Sequence, residues 1–480
     1  MVKKMRNKIT KFFQSTAGQK FLASFWRTLF LLILADFILW WFVAPIFLIL
    51  LFGVVLLGFI FYYFEFFGLL LMTLFFPFLN WQWQYGSFNV PLADLCGLFL
   101  FFVFLTKAIN GLICGKFSFK KFVSKYLPTF FFFLLWASAG ILAMNHNNDV
   151  AEALKFYLRP LLFFYLIFVL LPYNIIKNKT DLRKVLLVML GACLLTAVIG
   201  LSGSLLNQDS GLQGFRAQPI SWFGFNPLSG NHNAVAEIMV IGMPVALALF
   251  VLEKKVRFRS WYVLAMIFML VILLMTFSRS GFLALLFELL VLAVIFQRKK
   301  INFKRVFVYL LFGLIIFGGA YVYCLQNYSF VEVSNANRLL LSGISWHSFL
   351  QHPFVGNGLN SFQSIVGSTF IYIVDFGEPL DSHGFVQKIL TEMGLLGLLG
   401  FVGILSGIGY PFYRFLTFRK KGEDYAVIAC LFVVMVGIVV FELFSTSYYT
   451  GIMWLPIGVG LAGVKVFQDY ETTTTVMKNK

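Results

Sequence analysis

The chain has 480 residues, of which 60% are hydrophobic and only 12% charged, and 62 of them are phenylalanine. A mean hydropathy of +0.87 excludes a soluble globular enzyme, and continuous apolar runs, rather than period-two alternation, exclude a membrane β-barrel. The net charge of +18 comes from clusters of Lys and Arg that alternate with segments nearly free of them, the pattern of a positive-inside membrane protein and not of a nucleic-acid binder.

Residues 1–27 carry Lys3, Lys4, Arg6, Lys8, Lys11, Lys20 and Arg27. They read as a basic cytoplasmic tail, too long and too polar for the n-region of a cleaved signal peptide. Residues 28–79 form one apolar tract interrupted by Asp36, Pro45, Glu65 and Pro77, and three short spans fit its length better than one. Further basic clusters at 107–125, 173–184, 254–259, 298–305, 414–421 and beyond 465 assign those loops and both termini to the cytoplasm. The spans between them are predicted at 90–110, 126–143, 155–172, 182–203, 232–252, 259–277, 281–297, 305–324, 385–413, 425–444 and 451–467. The predicted fold is therefore an all-α polytopic membrane protein with 12–14 transmembrane helices. Its parts are a cytoplasmic tail (1–27), transmembrane helices (28–324), a long external loop (325–384), C-terminal transmembrane helices (385–467) and a short cytoplasmic tail (468–480). The ionisable residues noted inside spans, Asp36, Glu65 and Asp94, all lie toward the N-terminus. The five cysteines show no spacing of a metal site or disulfide framework.

Six basic residues fall outside the cytoplasmic clusters: Lys155, Arg159, Arg216, Arg279, Arg338 and Lys388. All lie on the external side. Snorkelling, or pairing with Asp209, Glu332, Asp375, Glu378 or Asp381, accounts for any one of the arginines. Arg216, Arg279 and Arg338 come from three separate external segments, and together they point to a convergent anion site, because a guanidinium fork suits phosphate and stays charged when buried. Within the long loop, Trp346, Phe349 and Phe354 predict an amphipathic helix over 335–351, and Gly356 and Gly358 in HPFVGNGLNSF are free to take positive φ. Asp381 or Ser382 is expected to cap the next span and place His383 at its entrance. Glu392 is expected to serve packing or pair with Lys388, and GLLGLLGFVGILSGIGY to form a close-packing ridge. His232, one turn before Glu237 at the mouth of a span, is a second candidate imidazole.

These pieces, in order, resemble the O-antigen ligase and O-antigen polymerase superfamily. The resemblance runs from about residue 130 to 410. It begins with WASAGILAMNHNNDVAEALKFYLRPLLFF, and continues with FRAQPISWFGFNPLSGNHNAVAEIMV, the SRSG turn, then Arg338 and GNGLNSF. It closes with SHGFVQKILTEMGLLGLLGF. The family often has His-Asn where this chain has His383-Gly384, which removes the neighbouring amide but keeps the imidazole.

The resemblance implies a GT-C-like glycosyltransferase fold with a long periplasmic loop, in the bacterial inner membrane. It implies transfer of a glycan from an undecaprenyl-diphosphate-linked donor to a lipid or glycan acceptor, on lipid A core or similar. The site residues it suggests are His383 as base, Arg216 and Arg279 on the diphosphate, and Arg338, Arg159 and His232 on substrate. Metal-dependent relatives use an early external Asp-x-Asp, whereas NWQWQYGSFN at 80–89 has no acidic residue. No metal and no cofactor are expected, and the partners are membrane lipids and glycans, not nucleic acid. A polymerase joining repeat units and, in another class, a lipid-glycan flippase or exporter remain the alternatives.

Overall fold

A computed structural model of the chain describes residues 58, 60–80, 82–85, 88–113, 127–147, 149–158, 164–206, 215–221, 226–228, 232–296, 329–418 and 422–478. Two compact units are delimited, Met1–Glu65 and Phe66–Lys480, and the description below concerns the second. The basic tail, most of the 28–79 tract, Arg159 and the span expected at 305–324 lie outside the described residues. The described elements are α1 (Glu65–Phe75), a short hairpin of β1 (Gln82–Tyr85) and β2 (Phe88–Pro91), α2 (Leu92–Ile113), α3 (Leu127–Met144) and α4 (Val150–Phe156). A π-helical turn (Tyr165–Leu170) leads into α5 (Leu171–Ile175), then α6 (Lys179–Leu206), α7 (His232–Leu252), α8 (Val256–Thr276) and α9 (Arg279–Phe296). After these come α10 (Ser329–Gln351), α11 (Phe362–Ser368), α12 (Phe370–Phe376), α13 (Phe385–Phe418), α14 (Glu423–Glu442) and α15 (Gly451–Lys478).

Eight of the described helices are long and apolar enough to cross a membrane. The chain is thus an all-α polytopic membrane protein, the antiparallel hairpin being the one strand pair among the described residues. Of the span expected at 155–172, residues 159–163 lie outside the described ones; before them α4 ends at Phe156, and after them a π turn runs directly into the Pro172-bearing α5. Helix α7 is buried along nearly its whole length and packs against α6, α8, α9 and α14. Beyond its first turns, which hold His232, Asn233 and Glu237, it is apolar all round, as an interior helix must be.

The glycine-rich stretch of α13 lies against α3. A Cβ at Gly400 would come within 2.8 Å of the Trp136 backbone, and one at Gly403 within 2.1 Å of the Phe132 ring. The ridge reading holds: small residues let two backbones approach where larger ones would part them. Trp136, Phe385, Phe401, Tyr448 and Trp454 then form an aromatic core, with centroids 5.0–5.9 Å apart around Phe401. Edge-on and tilted ring pairs of this kind add to the area they bury. The spans also bury ionisable groups, of which Glu288 and Glu442 were not anticipated. Glu237, Glu288, Glu392 and Glu442, together with Lys388, are at most 2% exposed within α7, α9, α13 and α14.

Helix α13 is broken in the middle. Gly394 takes φ 62°, and the freed backbone groups are satisfied by the 353–358 loop. The Leu395 N–H donates to the Pro353 carbonyl at 2.9 Å and that of Leu396 to Phe354 at 3.2 Å, while Asn357 and Gly358 donate to the carbonyls of Thr391 and Glu392. Backbone left unpaired in an apolar interior costs several kcal/mol per group, which is why the loop plugs the break. Gly356 and Gly358 adopt φ +76° and +115°, as the turn chemistry of HPFVGNGLNSF anticipates.

Candidate functional site

The TFSRSG turn joins α8 to α9. Phe277 takes a left-handed conformation, φ 51°, at the end of α8, and Ser278 then starts α9 by accepting the Gly281 N–H at 3.3 Å. This satisfies one of the donors that a helix start leaves open. The Ser278 hydroxyl also donates to Asn233 Oδ1 at 2.8 Å, which ties the turn to the first residues of α7. Arg279 therefore opens α9, where its guanidinium stands beside the positive end of the helix. That pairing is unfavourable for a cation alone and favourable for an anion binding between them.

Two partners from α10 orient Arg279. Its Nη1 donates to Asn335 Oδ1 at 2.5 Å and its Nη2 to Ser334 Oγ at 3.3 Å. Arg216 is held from the other side, with Nε donating to the Thr276 carbonyl at 3.1 Å, while the Ala217 N–H donates to Met275 at 2.9 Å. The 215–217 strip thus lies along the open carbonyls at the end of α8. Burial, and then the charge of Arg279, lower the pKa of Arg216 from its ordinary value. Cations this close repel, so the arrangement is charged and waiting for a counter-anion.

Both candidate histidines join them. His232, the first residue of α7, stands in the field of Arg216, Arg338 and Arg279. His383 precedes α13, and burial first, then the charge of Arg338, lower its pKa to about 4; Asp381 opposes this and Arg279 adds to it. Its imidazole is neutral at neutral pH, with a nitrogen lone pair available. Of the six candidate residues, the fold brings together Arg216, Arg279, Arg338, His232 and His383. Arg159 lies outside the described residues.

The approach to His383 differs from the expected cap. Asp381 Oδ1 accepts the N–H of Ser382 at 2.8 Å, and the Ser382 hydroxyl donates to the Gly384 carbonyl at 3.1 Å, so neither side chain accepts an amide of the first turn of α13. Asp381 is occupied by Lys388 instead, whose Nζ lies 2.6 Å from Asp381 Oδ2 and 3.7 Å from Glu392 Oε1. Glu392 in turn accepts the Phe362 N–H at 3.3 Å. This triad, with Lys388 and Glu392 buried and Asp381 half-buried, fixes the short segment that carries His383 and includes the expected Lys388–Glu392 pair. The predicted 335–351 helix is α10, on which Trp346 is exposed at 59% while Phe349 is buried; Phe354, exposed at 66%, lies beyond its end.

Asn335, Ser334 and Asn233 escaped the sequence reading. They are neutral and common, and only the doubled asparagines of VSNANR and GNHN hint at them. Among the described residues no group of three or more His, Cys, Asp or Glu is placed to hold a metal ion.

Residues 264–402 match the family described as O-antigen ligase, which supports the O-antigen ligase superfamily and, in general, a glycan transferase of ligase or polymerase type. The matched stretch runs from α8 into α13 and contains Arg279, Arg338 and His383; Arg216 and His232 precede it. No curated protein matches the chain.

Proposed function

We propose that this chain, with its O-antigen ligase segment, transfers a glycan from an undecaprenyl-diphosphate donor to an acceptor hydroxyl, on lipid A core or similar, at the outer face of the inner membrane. The observation that carries the proposal is the convergence of Arg216, Arg279 and Arg338 from three separate segments onto one place with a neutral His383. The leaving group is a lipid diphosphate whose charge grows as the glycosidic bond breaks. Fixed guanidinium groups stabilise that charge without reorganising, and loss of one such donor typically costs about 3–4 kcal/mol in the barrier. Arg279 and Arg216 hold the diphosphate, Arg338 and His232 contact phosphate or glycan, and His383 takes the proton from the attacking hydroxyl. One displacement inverts the sugar carbon, and no metal is required.

The arginine field also couples the two substrates. In the free protein it disfavours a proton on His383. A bound diphosphate neutralises that field, so the imidazole becomes a stronger base when the donor is in place. Base strength and leaving-group binding thereby rise together.

The test is surface-glycan synthesis in a deletion strain carrying variants. Arg279→Lys keeps the charge but loses the two-pronged geometry, so Arg279→Lys and Arg279→Ala are both expected to insert normally and lose most transfer. His383→Ala is expected to abolish transfer while retaining donor binding. Full activity of Arg279→Lys together with Arg216→Lys overturns the anion site. A lipid-glycan carrier needs no base, so transport that survives His383→Ala with no transfer in wild type would replace the enzyme reading. A polymerase uses the same chemistry with the end of another repeat unit as acceptor, and purified donor and acceptor pairs separate the two.

A further inference from the structure

The helix that bears Arg338 has a second face open to a cavity. Arg338, Ser342 and Ser345 follow one another along one side of α10, and Ser342 and Ser345 meet Gln387 of α13. At 3.6 residues per turn, Leu340, Gly343, Ile344 and His347 lie on the other side. There they line an open cavity of about 850 Å³ shared with the 146–152 segment and α11. That volume is ample for several sugar rings, since ligand pockets run from roughly 300 to 1,000 Å³. Three of the chain's five histidines, His146, His347 and His352, are in its wall.

The 361–369 side of the wall offers hydrogen-bond acceptors. Ser361 and Ser364 donate their hydroxyl hydrogens to the carbonyls of Gly358 and Ser361 at 2.7 Å, and Ser368 and Thr369 donate theirs to Ile365 at 2.8 and 3.0 Å. What each presents outward is an oxygen lone pair. Asp149 and Glu152 add carboxylate oxygens, and among the described residues no lysine or arginine lines the cavity. Such a wall suits a ligand rich in donors and repels an anionic one, the reverse of the arginine site on the opposite face.

We propose that this cavity is a glycan subsite for uncharged or amino sugars, holding part of the chain remote from the reacting end. The inference rests on the glycan-transfer reading and adds to it a chemical selection: hydroxyl and ammonium groups are taken, phosphorylated sugars and uronic acids are refused.

The test uses the full chain in detergent and saccharide binding by calorimetry. Maltotriose, or the trimer of glucosamine, is expected to bind, and trigalacturonate to bind about ten-fold more weakly or worse, because its carboxylates meet Asp149 and Glu152 where, among the described residues, no lysine or arginine lines the wall. A Cβ at Gly343 meets nothing within 4 Å, so Gly343→Ala is expected to retain binding. Gly343→Phe fills the cavity and is expected to weaken binding by about ten-fold. His347→Ala, an exposed truncation, is the second variant and is expected to weaken binding also. Equal binding of trigalacturonate, binding that requires added calcium, no saccharide binding, or unchanged binding in both Gly343→Phe and His347→Ala overturns the inference. Pyrophosphate binding is followed in parallel. A wild type that takes pyrophosphate, loses it in Arg279→Ala and takes no saccharide sinks the cavity subsite alone. A wild type that takes no pyrophosphate sinks the transferase reading instead.

Discussion

His383 shows how a residue's neighbours set its chemistry. Burial and the charges of Arg338 and Arg279 bring its pKa from 6.5 to about 4 against the pull of Asp381. The unfolded chain therefore binds a proton between pH 6.5 and 4 that the folded chain refuses. This term is absent above pH 6.5, and stability falls as pH drops from 6.5 toward 4. The same shift sets the rate profile. The acid limb of kcat/KM, which reports the free enzyme, is expected near pH 4, whereas that of kcat, which reports the donor complex, is expected higher, because diphosphate cancels the arginine field. Arg338→Gln removes the larger cationic cause and is expected to move the free-enzyme limb upward. Coincident limbs in both profiles, unmoved by Arg338→Gln, would refute the coupling. The arginines and His383 were legible in the sequence because few basic residues fall outside the basic clusters of so apolar a chain, and three arginines from separate segments are harder to explain singly than one. Asn335 and Ser334, which aim Arg279, were not, because a neutral amide or hydroxyl gives no such contrast until the fold sets it 2.5 or 3.3 Å from a guanidinium.

At the scale of elements, the break in α13 organises the site. The 353–358 loop enters at Gly394, and the Asp381–Lys388–Glu392 triad fastens the segment just before it. A Cβ at Gly394 would stand 2.5 Å from the Phe354 backbone with φ at +62°. Gly394→Ala puts a Cβ into a backbone conformation, φ 62° and ψ −160°, that is essentially confined to glycine, which adds about 1–3 kcal/mol to that clash, and is expected to lower the thermal midpoint clearly. Gly409→Ala, where the nearest atom is Met435 Cε at 3.7 Å, is the control and is expected to be tolerated. Lys388 is 2% exposed, and Lys388→Ala leaves Asp381 and Glu392 without their cation. The expected cost is about 3–5 kcal/mol, and the pair Lys388→Met with Glu392→Gln is expected to recover part of it. A loss in Lys388→Ala as small as that of an exposed ion pair, about 1 kcal/mol or less, would mean that the triad holds nothing. The glycine ridge could be read from spacing, since small residues at helical intervals imply a close neighbour. The break could not, because Gly394 sits in the same glycine-rich run as Gly397 and Gly400, and only the docking loop distinguishes it.

For the whole molecule, the basic clusters and apolar runs made the polytopic helical fold legible, since lipid admits few other solutions. The buried carboxylates of α9 and α14, Glu288 and Glu442, were missed, because hydropathy averages over a span and hides one Glu among twenty apolar neighbours. Orientation is a separate matter from fold: it is set by which loops carry Lys and Arg. The 298–305 cluster holds Arg298, Lys299, Lys300, Lys304 and Arg305, whereas α10 and its surroundings carry Arg338 alone among many polar residues. A periplasm-dependent reporter fused near residue 345 is therefore expected to be active, and the same reporter near residue 300 inactive. A cytoplasm-dependent reporter is expected to give the opposite pair. Activity only at residue 300 would put the arginine cluster, His383 and the cavity on the cytoplasmic side, where a lipid-linked glycan destined for the surface has not yet crossed, and transfer at the outer face would have to be abandoned.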